Sequence, residues 1–145
     1  MATAEYNLLL VEDNMDDVVI TRESFLRTNR SICIHHVDNG KKCLSFLRKS
    51  GEFSEGPTPD LVLLDLNLPV MDGRRVLAEV ADDTRLKTIP IVVLSTSKAA
   101  ADLLTTYQHG CRTYFVKPID LHDFQVMVDG ICLYWFEIAT LPPAI

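Results

Sequence analysis

The chain has 145 residues, 48% hydrophobic and 23% charged, so it can bury one sizeable core and is neither disordered nor low in complexity. Its formal net charge of −6, with 14 Lys and Arg residues scattered along the sequence, argues against the basic footprint of a nucleic-acid or anionic-membrane binder. No apolar run approaches the roughly 20 residues of a membrane span, and MATAEYNLLLVED carries no basic leader region, so a soluble, cytoplasmic protein is expected.

Taken in chain order, the first apolar run is Asn7 to Val11, ending in Glu12-Asp13. Asn14 is placed to cap a helix with Asp16 and Asp17 in its first turn, near the positive end of the macrodipole, and with Val18, Val19, Phe25 and Leu26 expected on its inner side. A second run, Ile32 to Val37, leads into Asn39-Gly40 and a helix with Cys43, Leu44, Phe46 and Leu47. The loop GEFSEGPTP, residues 51–59, precedes LVLL at Leu61 to Leu64 and then Asp65. Gly73 introduces a third helix with Val76, Leu77 and Val80 on one side. Ile91 to Leu94 ends at Ser95, and Ala99 to Gln108 forms a fourth helix closed by Gly110. Thr113 to Val116 runs into Lys117-Pro118, after which Asp120 caps a fifth helix with Phe124, Met127, Val128, Ile131 and Trp135 on one stripe.

Three of the five runs are nearly all Val, Ile and Leu without alternation, the pattern of strands buried on both faces of a parallel sheet. Strand alternating with helix five times predicts one doubly wound α/β domain over residues 1–145, with an extended last helix, a short tail and no room for an effector domain. Cys33, Cys43, Cys111 and Cys132 lack C-x-x-C spacing and read as reduced core thiols, and His35, His36, His109 and His122 lack ligand spacing.

Ligands of open parallel sheets bind beyond the carboxyl ends of the strands. Glu12, Asp13, Asp65, Ser95 and Lys117 all fall there, so four chain regions meet at one edge. Clustered carboxylates raise one another's pKa, so a positive group must sit among them. A hard cation such as Mg²⁺ takes oxygen ligands, and Lys117 adds an ammonium. Asp65, at the end of the most apolar strand, is then placed as a nucleophile toward phosphorus.

These residues resemble the receiver domain of two-component response regulators over essentially the whole chain. The matching set is Glu12-Asp13, Asp65, Pro69, Asp72-Gly73, Ser95, Tyr114 and Lys117-Pro118, with intervals of 30 residues from 65 to 95 and 22 from 95 to 117. The resemblance implies a flavodoxin-like sheet of order 2-1-3-4-5 and phosphoryl transfer from a phosphohistidine of a sensor histidine kinase onto Asp65. It implies Mg²⁺ bound by Asp13, Asp65 and the Asn67 carbonyl, with Glu12 acting through water. It also implies a Ser95 hydroxyl on the phosphoryl group, Tyr114 as the reporting aromatic and a cis Lys117-Pro118 bond. Thr96 stands where receivers carry Ala or Gly, so a slowly lost phosphoryl group is expected. GEFSEGPTPDLVLLDLNLP, GRRVLAEV and YWFEIATLPP resemble, more narrowly, the small single-domain regulators that partner cyanobacterial phytochrome kinases.

Ile131 to Phe136, ICLYWF, is uncharged all round and calls for a cover. A homodimer through the fourth helix, fifth strand and fifth helix, anchored by Tyr107, Ile131, Tyr134, Trp135 and Phe136, is the expectation; the alternative is a Leu141 to Ile145 tail that folds back. A phosphohydrolase of haloacid dehalogenase type is disfavoured because Asn67, two positions after Asp65, cannot serve as a general acid and base. An unphosphorylated adaptor is less favoured still, since no motif element is missing. The protein is therefore read as a phosphoacceptor, with only self-directed phosphotransfer and dephosphorylation, and not as an enzyme.

Overall fold

The computed structural model describes residues 5–143. The reading of the first four residues as leaderless, and Ala144 and Ile145 of the tail, lie outside the described residues. The elements run β1 (Tyr6–Val11), α1 (Met15–Leu26), β2 (Ile32–Val37), α2 (Gly40–Leu47), a 3₁₀ turn (Gly51–Phe53), β3 (Leu61–Leu64), α3 (Gly73–Ala81), β4 (Ile91–Ser95), α4 (Ala100–Gln108), β5 (Thr113–Val116) and α5 (Leu121–Cys132). A π-helical segment, Leu133–Ile138, continues α5. All strand pairs are parallel, in the order β2-β1-β3-β4-β5, as the resemblance implied.

The sheet separates two cores. On one face Leu9, Val11, Val62, Leu64 and Val93 pack with α2 and α3; on the other Leu8, Leu10, Leu61, Leu63, Val92 and Leu94 pack with α1 and α5. Every side chain of β3 is buried, each contributing roughly 1.5–3 kcal/mol of apolar transfer. That burial on both faces holds Asp65, the next residue, at a fixed height on the sheet edge.

The expected caps form. Asp17 N–H donates to Asn14 Oδ1 at 3.1 Å, Lys42 N–H to Asn39 Oδ1 at 2.8 Å, and His122 N–H to Asp120 Oδ1 at 2.6 Å. The cap of α3 is Asp72, whose Oδ1 accepts from Arg74 N–H at 2.9 Å, and Gly110 takes a φ of +86° as it closes α4.

Three expectations about packing are corrected. On α1 the inner stripe is Val18, Thr21 and Phe25, at spacings of three and four, and Val19 and Leu26 lie one position off it in solvent. At the end of the last helix the backbone widens to an i→i+5 bond, Ala139 N–H to Tyr134 O at 2.7 Å. Five residues beyond Ile131, Phe136 therefore reaches the core in place of Trp135, stacking on Tyr6 with ring centroids 4.5 Å apart. Ile131 and Phe136 are thus buried within their own chain and are not free as interface anchors, whereas Tyr134 is exposed and Trp135 half-buried. The tail contributes as well: Leu141 packs on the second core, and Pro142 and Pro143 lie beside Pro59 and Pro90. The four cysteines are free, three of them buried, and burial pushes the Cys43 thiol up to about 12 and Cys132 up to about 11.

Candidate functional site

Strand register brings the site together. Asp65 N–H donates to the Val11 carbonyl at 3.1 Å and Lys117 N–H to the Ser95 carbonyl at 2.8 Å, so the residues just past β1, β3 and β5 and the last residue of β4 share one edge. Glu12, Asp13 and Asp65 each offer a carboxylate oxygen within 4.8 Å of the others, Glu12 and Asp65 buried and Asp13 exposed. Lys117 Nζ reaches into the group, donating to Glu12 Oε1 at 2.5 Å, Asp17 Oδ2 at 3.0 Å and Asp65 Oδ2 at 3.1 Å. Asn67 N–H donates to the other Asp65 oxygen at 3.2 Å.

Burial, reinforced by the charge of Asp65, pushes the Glu12 carboxyl up to about 7 against the pull of Lys117. Burial works against the Lys117 ammonium, but the Glu12 hydrogen bond and the Asp65 charge outweigh it and hold its pKa above the ordinary lysine value. One ammonium faces four acidic side chains, so negative charge is left over at the edge. An all-oxygen donor set with excess negative charge fits a hard divalent cation.

Two glycines make the geometry. A Cβ on Gly73 would stand 2.3 Å from the Asp65 carbonyl oxygen, and Gly73 N–H closes the loop by donating to the Leu66 carbonyl at 2.8 Å. A Cβ on Gly40 would stand 2.1 Å from the Met71 carbonyl oxygen, so α2 can approach the same loop only without a side chain. Between them Val70 has a φ of +67°, a left-handed conformation that costs a β-branched residue roughly 1–3 kcal/mol.

Ser95 is fully buried, and its Oγ accepts from Ser97 N–H at 3.2 Å. Ser97 Oγ donates to Asp102 Oδ2 at 2.7 Å, and Asp102 is gripped by Arg74 through bonds of 2.7 and 2.8 Å. The buried Tyr114 donates its hydroxyl to the Ser97 carbonyl at 2.8 Å. Tyr107 Oη accepts from Tyr114 N–H at 3.1 Å, occupying a donor on the sheet-edge strand β5. Thr96 is exposed and lines, with Asp17, Lys117 and Ile119, a cavity of about 240 Å³ beside the carboxylates. The Lys117-Pro118 bond is trans, not cis. An X–Pro amide leaves the two isomers within about 1 kcal/mol, so the surrounding contacts decide between them.

Sequence reasoning missed Asp17 as a partner of Lys117, having read it only as a helix-start acid; its place four residues after Asp13 was the available signal. It also missed His36, whose Nε2–H donates to the Glu12 carbonyl at 2.7 Å and steadies the strand end. The Arg74–Asp102–Ser97 chain left no trace in the sequence, because it joins α3 to α4 and the loop before it across a gap of 28 residues.

A doubly wound sheet of this order, with three acids and a lysine at one edge, is the architecture of a phosphoacceptor signalling domain. The chain belongs to the response regulator receiver domain family, whose model matches residues 8–129. It is 39% identical to response regulator Rcp1 of Synechocystis sp. over 137 residues, 94% of this chain and 93% of that protein. It superposes on the phosphorylated cyanobacterial phytochrome response regulator RcpA with a TM-score of 0.92 at 39% identity, covering 97% of this chain and all of that one. The Mn²⁺-bound form of Rcp1 gives a TM-score of 0.89 at 38% identity, covering 95% and 99%. Membership sets aside the phosphohydrolase reading. Among the described residues no helix is long and apolar enough to cross a membrane.

Proposed function

We propose that Asp65 accepts a phosphoryl group from a phosphohistidine of a sensor histidine kinase, a phytochrome in the nearest reading, with Mg²⁺ held by Asp13, Asp65 and the Asn67 carbonyl and by Glu12 through water. The observation that carries this reading is the Lys117 ammonium bonded at once to Glu12, Asp17 and Asp65. An Asp65 oxygen attacks phosphorus, the P–N bond breaks, and the imidazole leaves with the electron pair and takes a proton. A divalent cation held by Asp13, Asp65 and the Asn67 carbonyl would supply neutralisation of charge on the phosphoryl oxygens. Lys117, released from Asp65, turns to a phosphoryl oxygen, and the Ser95 hydroxyl, whose oxygen accepts from the Ser97 amide, donates its hydrogen to another. The exposed apolar side chains Ile119 and Leu121 line the cavity next to the site, Met15 and Val19 are exposed on the neighbouring α1, and this apolar surface suits a kinase helix bearing the histidine.

Phytochrome pairing is supported by the likeness to Rcp1 and RcpA across nearly the whole of each chain. The protein acts in the cytoplasm, as one receiver unit, without binding nucleic acid. It forms a homodimer through α4, β5 and α5, for which Leu104, Tyr107, Leu133 and Tyr134 supply exposed apolar surface. Incubation with acetyl phosphate and Mg²⁺ followed by intact mass tests the core of this reading. One added phosphoryl group, lost in Asp65→Asn, is expected; turnover of acetyl phosphate without a lasting adduct, or no adduct at all, overturns it. Transfer from an autophosphorylated phytochrome kinase tests the pairing, and sedimentation of Tyr134→Glu beside wild type tests the dimer, an unchanged mass ruling it out.

A further inference from the structure

The sheet edge opposite the phosphoacceptor carries a cavity of about 230 Å³ between the end of α3, the start of β4 and the α4–β5 turn. Its apolar part is made by Leu77, Val80, Ile89 and Ile91, four buried side chains of the first core. Lys87, His109 and Arg112 also line it, and among the described residues no acidic side chain does. In a chain of net charge −6 this is an unusual place for two cations, and among the described residues neither Lys87 nor Arg112 has an acidic partner within ion-pair distance. Arg112 is tethered, its Nη2 donating to the Lys87 carbonyl at 3.3 Å, so the two cationic residues are held together at the cavity.

A half-open cavity with an apolar wall on one side and convergent polar groups on the other has the form of a ligand site. We propose that this cavity binds a small organic monocarboxylic acid, its compact apolar body against Leu77, Val80, Ile89 and Ile91 and its carboxylate between Lys87 and Arg112. The volume limits the occupant to about one ring or a short branched chain. A bare anion would leave the apolar wall unfilled, and a neutral molecule of the same shape would leave both cations unused. The site is independent of Asp65 and of the reading given above for it.

Benzoate is the probe, titrated into the full ¹⁵N-labelled chain and followed by the amide shifts of residues 87–91 and 108–112. Benzyl alcohol supplies the same body without charge, and sulfate supplies charge without the body. Saturable shifts with benzoate, at least roughly tenfold tighter than with either control, are expected. Lys87→Gln and Arg112→Gln, both at exposed positions, each weaken benzoate by a similar factor, and Ala81→Phe blocks it by filling the cavity while keeping the cations. Absence of saturation up to tens of millimolar, equal binding of benzyl alcohol, saturation by sulfate alone, or benzoate binding unchanged in the two Gln variants overturns the proposal. Acetyl phosphate labelling of the same samples reports on Asp65 separately, so a failure there is distinguishable from a failure here.

Discussion

Gly73 and Thr96 are the residues whose identity bears most directly on the acidic edge. The Cβ of an alanine at position 73 would press on the Asp65 carbonyl, backbone against backbone, with no flexible side chain to give way. Gly73→Ala is therefore expected to lower stability by about 1–3 kcal/mol and to slow acetyl phosphate labelling of Asp65, measured by denaturant unfolding and intact mass. At position 96 the effect is on water. The branched, exposed side chain lines the cavity beside Lys117, and the expectation is that it hinders a water approaching the phosphoryl group from that side. Thr96→Ala should lose its acid-labile phosphoryl group several-fold faster than wild type, and equal decay rates would remove the idea.

At the level of elements, α3 and α4 are joined by a charged bridge and α5 is joined to β1 by an aromatic one. Hydrogen bonds from Arg74, and then from Ser97, hold the Asp102 carboxyl down to about 2. A carboxyl lowered in the folded state contributes stability that is fully present above its unfolded value near 4 and is lost as pH falls toward 2. The difference in melting temperature between wild type and Asp102→Asn should therefore be constant at neutral pH and shrink between pH 4 and 2. Phe136 is 5% exposed, stacked on Tyr6, and its carbonyl accepts the Tyr6 hydroxyl at 2.9 Å. Arg30 adds an ion pair to Glu137. Phe136→Ala should cost about 3–5 kcal/mol, a loss that chemical denaturation would read directly and that an exposed interface residue would not show.

Over the whole molecule the gathering of acids at one edge opposes folding, and a bound cation reverses that. At a concentration a hundredfold above its Kd, a ligand specific for the folded state adds about 2.7 kcal/mol, several degrees of melting temperature for a chain of this size. Added Mg²⁺ should raise the melting temperature of wild type by that order and leave Asp13→Asn nearly unmoved, as thermal scans with and without EDTA will show. The same scale divides what was legible beforehand from what was not. Val, Ile and Leu runs ending in Glu12-Asp13, Asp65 and Ser95, with the shorter Thr113 to Val116 ending in Lys117, determined the parallel sheet and its acidic edge, because burial on both faces and the carboxyl-end rule are local consequences of composition and order. Only tertiary structure decided that Asp17 shares Lys117 and that Arg74 holds Ser97 through Asp102. It also decided that Phe136 rather than Trp135 enters the core and that Lys117-Pro118 is trans. Each of these depends on contacts between segments remote in sequence or on the one-residue widening of the helix to an i→i+5 bond, and periodicity along the chain carries neither quantity.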